Sequence, residues 1–261
     1  EYGIHFPLRA NQWRARDPQY LSMEPTTRCE SYRYMDTEIR YAAAWNPHYI
    51  LIHYPKPVLI DDRVDWSAWR FADETEFSYE STYRCDMFEH ESKCFFKWIS
   101  DIGSELGFTP VLELDAVNQY IYRSCFLEGL LEEYPNVRLC LDIGRIHLQD
   151  CIDPHFDGYG FVGKFAKYTE LIHLWNVQVD GNVSNNHYPA LPSQRACDGW
   201  ADVERYFEII TKENHAFKVL FEHRSELITD RELDACYEWI AALVKQKEGN
   251  LLEIGSWGKE A

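Results

Sequence analysis

Six residues able to bind a metal stand at or near the ends of short apolar runs: His5, His53, Glu113, Asp142, His173 and Glu222. The runs are residues 2–6 (YGIHF), 49–54 (YILIHY), 110–114 (PVLEL), 137–142 (VRLCLD), 170–175 (ELIHLW) and 217–222 (FKVLFE). A histidine alone in such a run is ordinarily a hydrogen-bonded core residue. A carboxylate is different, because burying Glu113 or Asp142 unpaired is costly; each needs a cation, strong hydrogen bonds or a metal. Recurrence of the pattern in all six runs favours one shared metal site over six separate accidents. Oxygen and imidazole donors without thiolate suit Mn, Mg, Co or Zn, as one ion or two.

The elements that must position these groups follow from the same runs. Each is short, rich in Val, Ile, Leu or aromatics, and bounded by polar or turn residues, as buried parallel strands are. Amphipathic stretches lie between them. Residues 29–45 put Tyr32, Met35, Ile39 and Ala42 on one stripe, and residues 230–247 do the same with Leu233, Cys236, Ile240 and Val244. Residues 198–214 read as a helix capped from Asp198, and 64–107 and 116–134 read mainly as helix. Strands alternating with helices predict an α/β fold with a parallel sheet, open or closed into a barrel. In a barrel all strand C-termini open on one face, so the six ligands would converge there.

Just past the ligands come Arg9, Lys56, Arg145 and Arg224, in loops expected to line the pocket mouth. Basic loop residues are commonly just solvated. Four at one rim, in a chain with 26 basic and 43 acidic residues, predict a clamp for a small anionic substrate. Residues 179–200 (VDGNVSNNHYPALPSQRACDGW) show little periodicity and read as a lid over the site that contributes His187.

The totals bound the function. A chain of 261 residues with 46% hydrophobic and 26% charged residues suits one globular domain over 1–261. The net charge of −17 argues against duplex nucleic acid and anionic membrane surfaces as partners. The eight cysteines form no C-x-x-C pair and read as buried reduced thiols of a cytoplasmic protein. No signal peptide and no membrane-spanning apolar run is evident. A homo-oligomer is compatible with all of this.

At these residues the chain resembles the xylose isomerase-like TIM barrel superfamily, which includes sugar and sugar-phosphate isomerases and epimerases and also endonuclease IV. The resemblance runs along the whole chain, through HFPLR, LIHYPKP, VLELD, LCLDIGRIH, LIHLWN, NNHYPAL and VLFEHR. It implies that Glu113, Asp142, His173 and Glu222 match the shared four-ligand metal set. By the same resemblance His5 and His53 match the histidines that complete a second metal site with Glu113, and His187 matches a histidine of the loop after the seventh strand. Two departures stand out. Arg145 replaces the histidine of the family's D-x-x-H, and Asn185 stands where endonuclease IV has an aspartate two residues before the loop histidine. A third metal of the endonuclease kind is therefore expected to be lost, and substrate choice is expected to differ. His5 aligns with the family's third strand, and such a barrel closes with eight strands. The first two βα units, about 60 residues, are thus expected to be absent, and the chain, which opens on Glu1, is expected to be a truncated barrel.

The resemblance implies a metal-dependent isomerase or epimerase, with Glu113 and Glu222 exchanging a proton at carbon. The alternative is a dinuclear phosphoester hydrolase of endonuclease IV-like architecture acting on a small molecule. A barrel that binds without catalysis is a third reading.

Overall fold

The computed structural model describes residues 1–9, 17–71 and 73–253, with side chains described through residue 245. The strands are β1 (Gly3–His5), β2 (Tyr49–Tyr54), β3 (Val58–Ile60), β4 (Phe77–Tyr79), β5 (Thr109–Leu114), β6 (Arg138–Asp142), β7 (Thr169–Leu174), β8 (Asn176–Asp180), β9 (Asn182–Tyr188) and β10 (Lys218–Phe221). The helices are α1 (Pro25–Ala43), α2 (Cys85–Leu106), α3 (Gln119–Tyr122), α4 (Phe126–Glu133), α5 (Ile143–Ile152), α6 (Gly158–Phe165), α7 (Val203–Glu213) and α8 (Asp230–Glu253). Six strands form one parallel sheet in the order β1-β2-β5-β6-β7-β10, a curled half-barrel built from the six runs read in the sequence.

Period-two alternation explains how this sheet presents the candidate ligands. Leu51, Val111, Cys140 and Leu171 form an apolar cluster of their own, at most 2% exposed. Each lies two residues before a ligand: His53, Glu113, Asp142 and His173. The four form one interior layer, with the ligands forming the layer above it. Register completes the arrangement, pairing His53 with Glu113 across β2 and β5 and Asp142 with His173 across β6 and β7. Leu220 holds the equivalent position in β10, two residues before Glu222, yet remains 46% exposed. The half-barrel is not closed on that side, so its interior layer meets solvent there.

The outer face of the sheet is covered by helices. Met35, Ile39 and Ala42 of α1 and Phe88, Phe95, Phe96, Ile99 and Ile102 of α2 are buried in the main core. The α2 helix ends at Gly107, whose φ of +77° favours glycine.

Three elements differ from their sequence reading. Only 85–106 of the 64–107 stretch is α-helical. Ahead of it Asp65 accepts from Ser67 N and Asp73 from Thr75 N, and these local bonds compete with helix and leave short 3-10 turns and β4. Helix α7 starts at Val203, capped by Asp202 and not Asp198, which closes a separate 3-10 turn. Residues 179–200 are not wholly irregular, because β8 and β9 make an antiparallel hairpin turning at Gly181, φ +65°. The signal was present as VQV-DG-NVS, an Asp-Gly turn between alternating segments.

Candidate metal centre

Glu113, Asp142, His173 and Glu222 come from four strand ends and meet. One donor atom from each lies within 4.8 Å of all the others. Glu113 Oε2 and Glu222 Oε2 approach the same imidazole nitrogen, His173 Nδ1, at 3.4 and 3.1 Å. On the other side of Glu113, His53 Nε2 lies 3.4 Å and His5 Nε2 3.8 Å from Oε2, so His5, His53 and Glu113 form a second group of possible ligands. All six residues singled out in the sequence thus gather around Glu113, directly or through His173.

Among the described residues, three of these buried atoms, His53 Nε2, His173 Nδ1 and Glu113 Oε2, make no hydrogen bond. Leaving polar atoms unbonded in a dry site is costly. Lone pairs facing a common point without bonding one another suit a cation between them, so the donor set fits a divalent ion.

The titration of the groups agrees with this. Burial raises Asp142 to about 6, and Glu113 and Glu222 add to the rise against the pull of Arg145. Burial also works against Glu113, but His53 and His173 hold it well below the usual carboxylate range. For His173, burial favours the neutral ring, yet Cys140, Glu113 and Glu222 raise its pKa. Three carboxylates crowd the site, so positive charge among them is favoured. A metal ion supplies the same positive charge. Cys140 lies close to Glu113 and His173, and burial pushes its thiol up to about 12.

A chain of buried charges flanks the centre. His53 Nδ1 lies 2.8 Å from Asp17 Oδ2, which also sits 3.2 Å from Lys56 Nζ. Lys56 reaches Asp115 Oδ2 at 3.1 Å, and Asp115 Oδ1 accepts from Arg145 Nη1 at 2.6 Å. Arg145 closes the chain with Nε 3.5 Å from Glu113 Oε1 and 3.2 Å from Asp142 Oδ2. An aspartate on the far nitrogen of His53 fixes its tautomer and leaves Nε2 facing Glu113. Asp17 and Asp115 were not singled out in the sequence. Asp115 follows Glu113 in VLELD, where one acid drew attention from the next, and Asp17 carries no local signal.

The four cations expected at the rim divide. Lys56 is 1% exposed and Arg145 is turned inward, both held by carboxylates. Arg9 pairs with Glu38 of α1 at 2.6 Å and lies over the Tyr41 ring. Arg224 is half-exposed, and its one ion-pair partner among the described residues is Glu226, at 3.4 Å. His187 stacks flat on Trp175, ring centroids 4.0 Å apart, and Trp175 Nε1 donates to Asp142 Oδ2 at 3.0 Å.

Trp175 sits tightly because Gly144, in the first turn of α5, has no side chain. A Cβ there would fall 2.4 Å from the indole. Trp175 is 1% exposed and backed by His187, so it has little room to yield. Gly144→Ala is expected to cost about 1–3 kcal/mol by overpacking and to weaken Mn²⁺ binding by pulling the indole from Asp142. Urea unfolding and metal titration check both; a variant with wild-type midpoint and affinity would contradict the packing described.

The comparisons place this architecture. No family model and no curated protein matches the chain. Among solved structures, it is similar to a D-tagatose 3-epimerase-like protein, with TM-score 0.57 at 12% identity over 95% of this chain and 79% of that one. It also matches an IOLI protein with a binding zinc atom, with TM-score 0.57 at 12% identity over 86% and 73% of the two chains. A third match is D-psicose 3-epimerase with D-tagatose from Clostridium cellulolyticum H10, with TM-score 0.53 at 12% identity over 87% and 75%. At this identity the likeness is one of fold: the parallel half-barrel of this chain is shared with these structures. In this half-barrel the eight cysteines are free, as expected, but six of them are exposed and not buried. They lie outside the strand interior, with Cys140 the exception among the sheet strands. No helix among the described residues is long and apolar enough to cross a membrane.

Proposed function

We propose that the protein is a metal-dependent sugar or sugar-phosphate isomerase or epimerase. One observation carries the reading: Glu113 and Glu222 converge on His173 Nδ1 beside Asp142, with all four donors within 4.8 Å. The similar folds of D-psicose 3-epimerase and of the D-tagatose 3-epimerase-like protein support it. Glu113, Asp142, His173 and Glu222 would hold the ion, which would supply Lewis-acid polarisation of adjacent substrate oxygens.

The proton work belongs to the chain's own carboxylates. Glu222, the more exposed of the pair at 37%, is our candidate to take the proton from the substrate carbon. Glu113 is our candidate to hold or return a proton on the other side. His53, oriented by Asp17, and Arg145 fix Glu113 in place. His187 and Arg224 are the candidates for substrate contact.

A second reading, a dinuclear phosphoester hydrolase, is favoured by the His5–His53–Glu113 group. Solvent deuterium exchange separates the two. Incubation of the Mn²⁺-loaded protein with ketoses and ketose phosphates in D₂O is expected to place deuterium at carbon without releasing phosphate. Phosphate release with no exchange would decide for hydrolysis. One tightly held ion in metal analysis agrees with the isomerase; two agree with the hydrolase.

A further inference from the structure

We propose that a cleft between Arg70 and Arg224 is the subsite for a phosphate group carried by the substrate; this rests on the isomerase reading and names its substrate class. The cleft has a volume of about 390 Å³ and is lined by Arg70, Ser184, Asn185, Asn186 and Arg224, with Ala68 and Val183. Its walls come from three separate parts of the chain: the segment between β3 and β4, the β9 strand of the hairpin, and the loop after β10. Two guanidinium groups on different walls, with hydroxyl and amide groups between, offer more donors than one carboxylate needs and suit the three oxygens of a phosphate ester.

The charge of these arginines is available, unlike that of the other cations near the site. Lys56, Arg145 and Arg9 are each matched by carboxylates inside the protein. Arg70 is exposed and makes no ion pair among the described residues. Among the described residues Arg224 has one ion-pair partner, Glu226 at 3.4 Å, both side chains more than half exposed. Such an exposed pair is weak and yields to a doubly charged ligand. In a chain of net charge −17, two arginines left facing one cleft form a local exception.

Position links the cleft to the chemistry. Next to Arg70, the Trp69 indole donates to Asp115 Oδ1, the carboxylate that holds Arg145. Next to the other wall, Arg224 N donates to the carbonyl of His187, whose ring lies on Trp175, and Trp175 donates to Asp142. Arg224 itself stands two residues past Glu222. One wall thus leads through Trp69 to Asp115, beside the candidate metal centre, and the other through His187 and Trp175 to Asp142 within it. The phosphate of a bound sugar would thus be held by a residue two positions from Glu222.

Calorimetric titration of inorganic phosphate into the Mn²⁺-loaded protein tests the assignment without needing turnover. Arg70→Gln and Arg224→Gln are each expected to weaken phosphate binding about tenfold or more, the loss expected for one charge-assisted pair. Arg70→Lys, which keeps the charge and loses the fork, should fall between. Melting temperatures near wild type confirm that the variants fold. Unchanged phosphate affinity in both glutamine variants would place the anion elsewhere and overturn the proposal. Absence of deuterium exchange with intact, arginine-dependent phosphate binding would instead overturn the isomerase reading and leave the subsite standing.

Discussion

Glu222→Gln is expected to abolish exchange of substrate protons with solvent, by about 10²–10⁴-fold if the carboxylate is the acting base, while leaving the fold intact. Glu222 sits at the open side of the half-barrel, with its side chain 37% exposed and His173 Nδ1 its nearest partner at 3.1 Å. A glutamine of the same shape stays wettable there, so stability should change little. The ion keeps Glu113, Asp142 and His173, so metal affinity should fall without vanishing. The decisive comparison is turnover measured at saturating Mn²⁺. Turnover at the wild-type rate would remove Glu222 from the mechanism, and loss of turnover restored by excess metal would reduce it to a ligand alone. Glu113→Gln would be a poorer test. Glu113 is 1% exposed and stands within reach of His53, His173 and Arg145, so its replacement disturbs stability and chemistry together.

Lys56→Met is expected to destabilise the protein by about 3–5 kcal/mol, because it breaks a buried ion pair from one side only. Lys56 Nζ lies between Asp17 and Asp115 at 3.2 and 3.1 Å. Burial disfavours its charge, yet Asp115 and Asp17 raise its pKa above the usual lysine value. Asp115 is the mirror case: burial works against its charge, but Arg145 and Lys56 hold it far below the carboxylate range. A depressed carboxylate stabilises the fold at pH above its unfolded value near 3.9, and that stability is lost as pH falls through the lower folded value. In Lys56→Met the stranded carboxylates bind protons more readily. The penalty should therefore be greatest at neutral pH and shrink towards pH 5. Urea unfolding of both proteins at pH 5 and pH 7.5 measures this. A difference below about 1 kcal/mol at neutral pH would show that the network relaxes without its lysine, against the usual cost of an orphaned buried charge.

The same residue shows where sequence and structure part. In the sequence Lys56 follows His53 in a loop and reads as a solvent-facing clamp for substrate, like Arg145 after Asp142. The structure buries both and pairs them with Asp17 and Asp115, the latter of which links the two cations. A local pattern reports that a lysine stands past a strand end. It does not report which acid, about 40 or 60 residues away in the chain, will meet it. Arg70 is the converse case. It lies in a stretch that reads as helix, and only the folding of that stretch against the hairpin and the Arg224 loop brings it to a shared cleft.

The strands and the gathering of six possible ligands were legible from the chain alone, because in most of these strands period-two alternation ties the candidate ligand to an apolar residue two positions earlier, and burying that residue commits the candidate to the same face. Leu51, Val111, Cys140 and Leu171 are those residues in four of the six strands. Helix limits, the hairpin within 179–200 and the partners of the cations were not legible. They depend on competing local hydrogen bonds and on charges brought together across long sequence separations. Only the tertiary structure decided which cations answer the protein's own carboxylates and which remain to answer a ligand, since a charge in a folded chain is neutralised by its nearest neighbour in space.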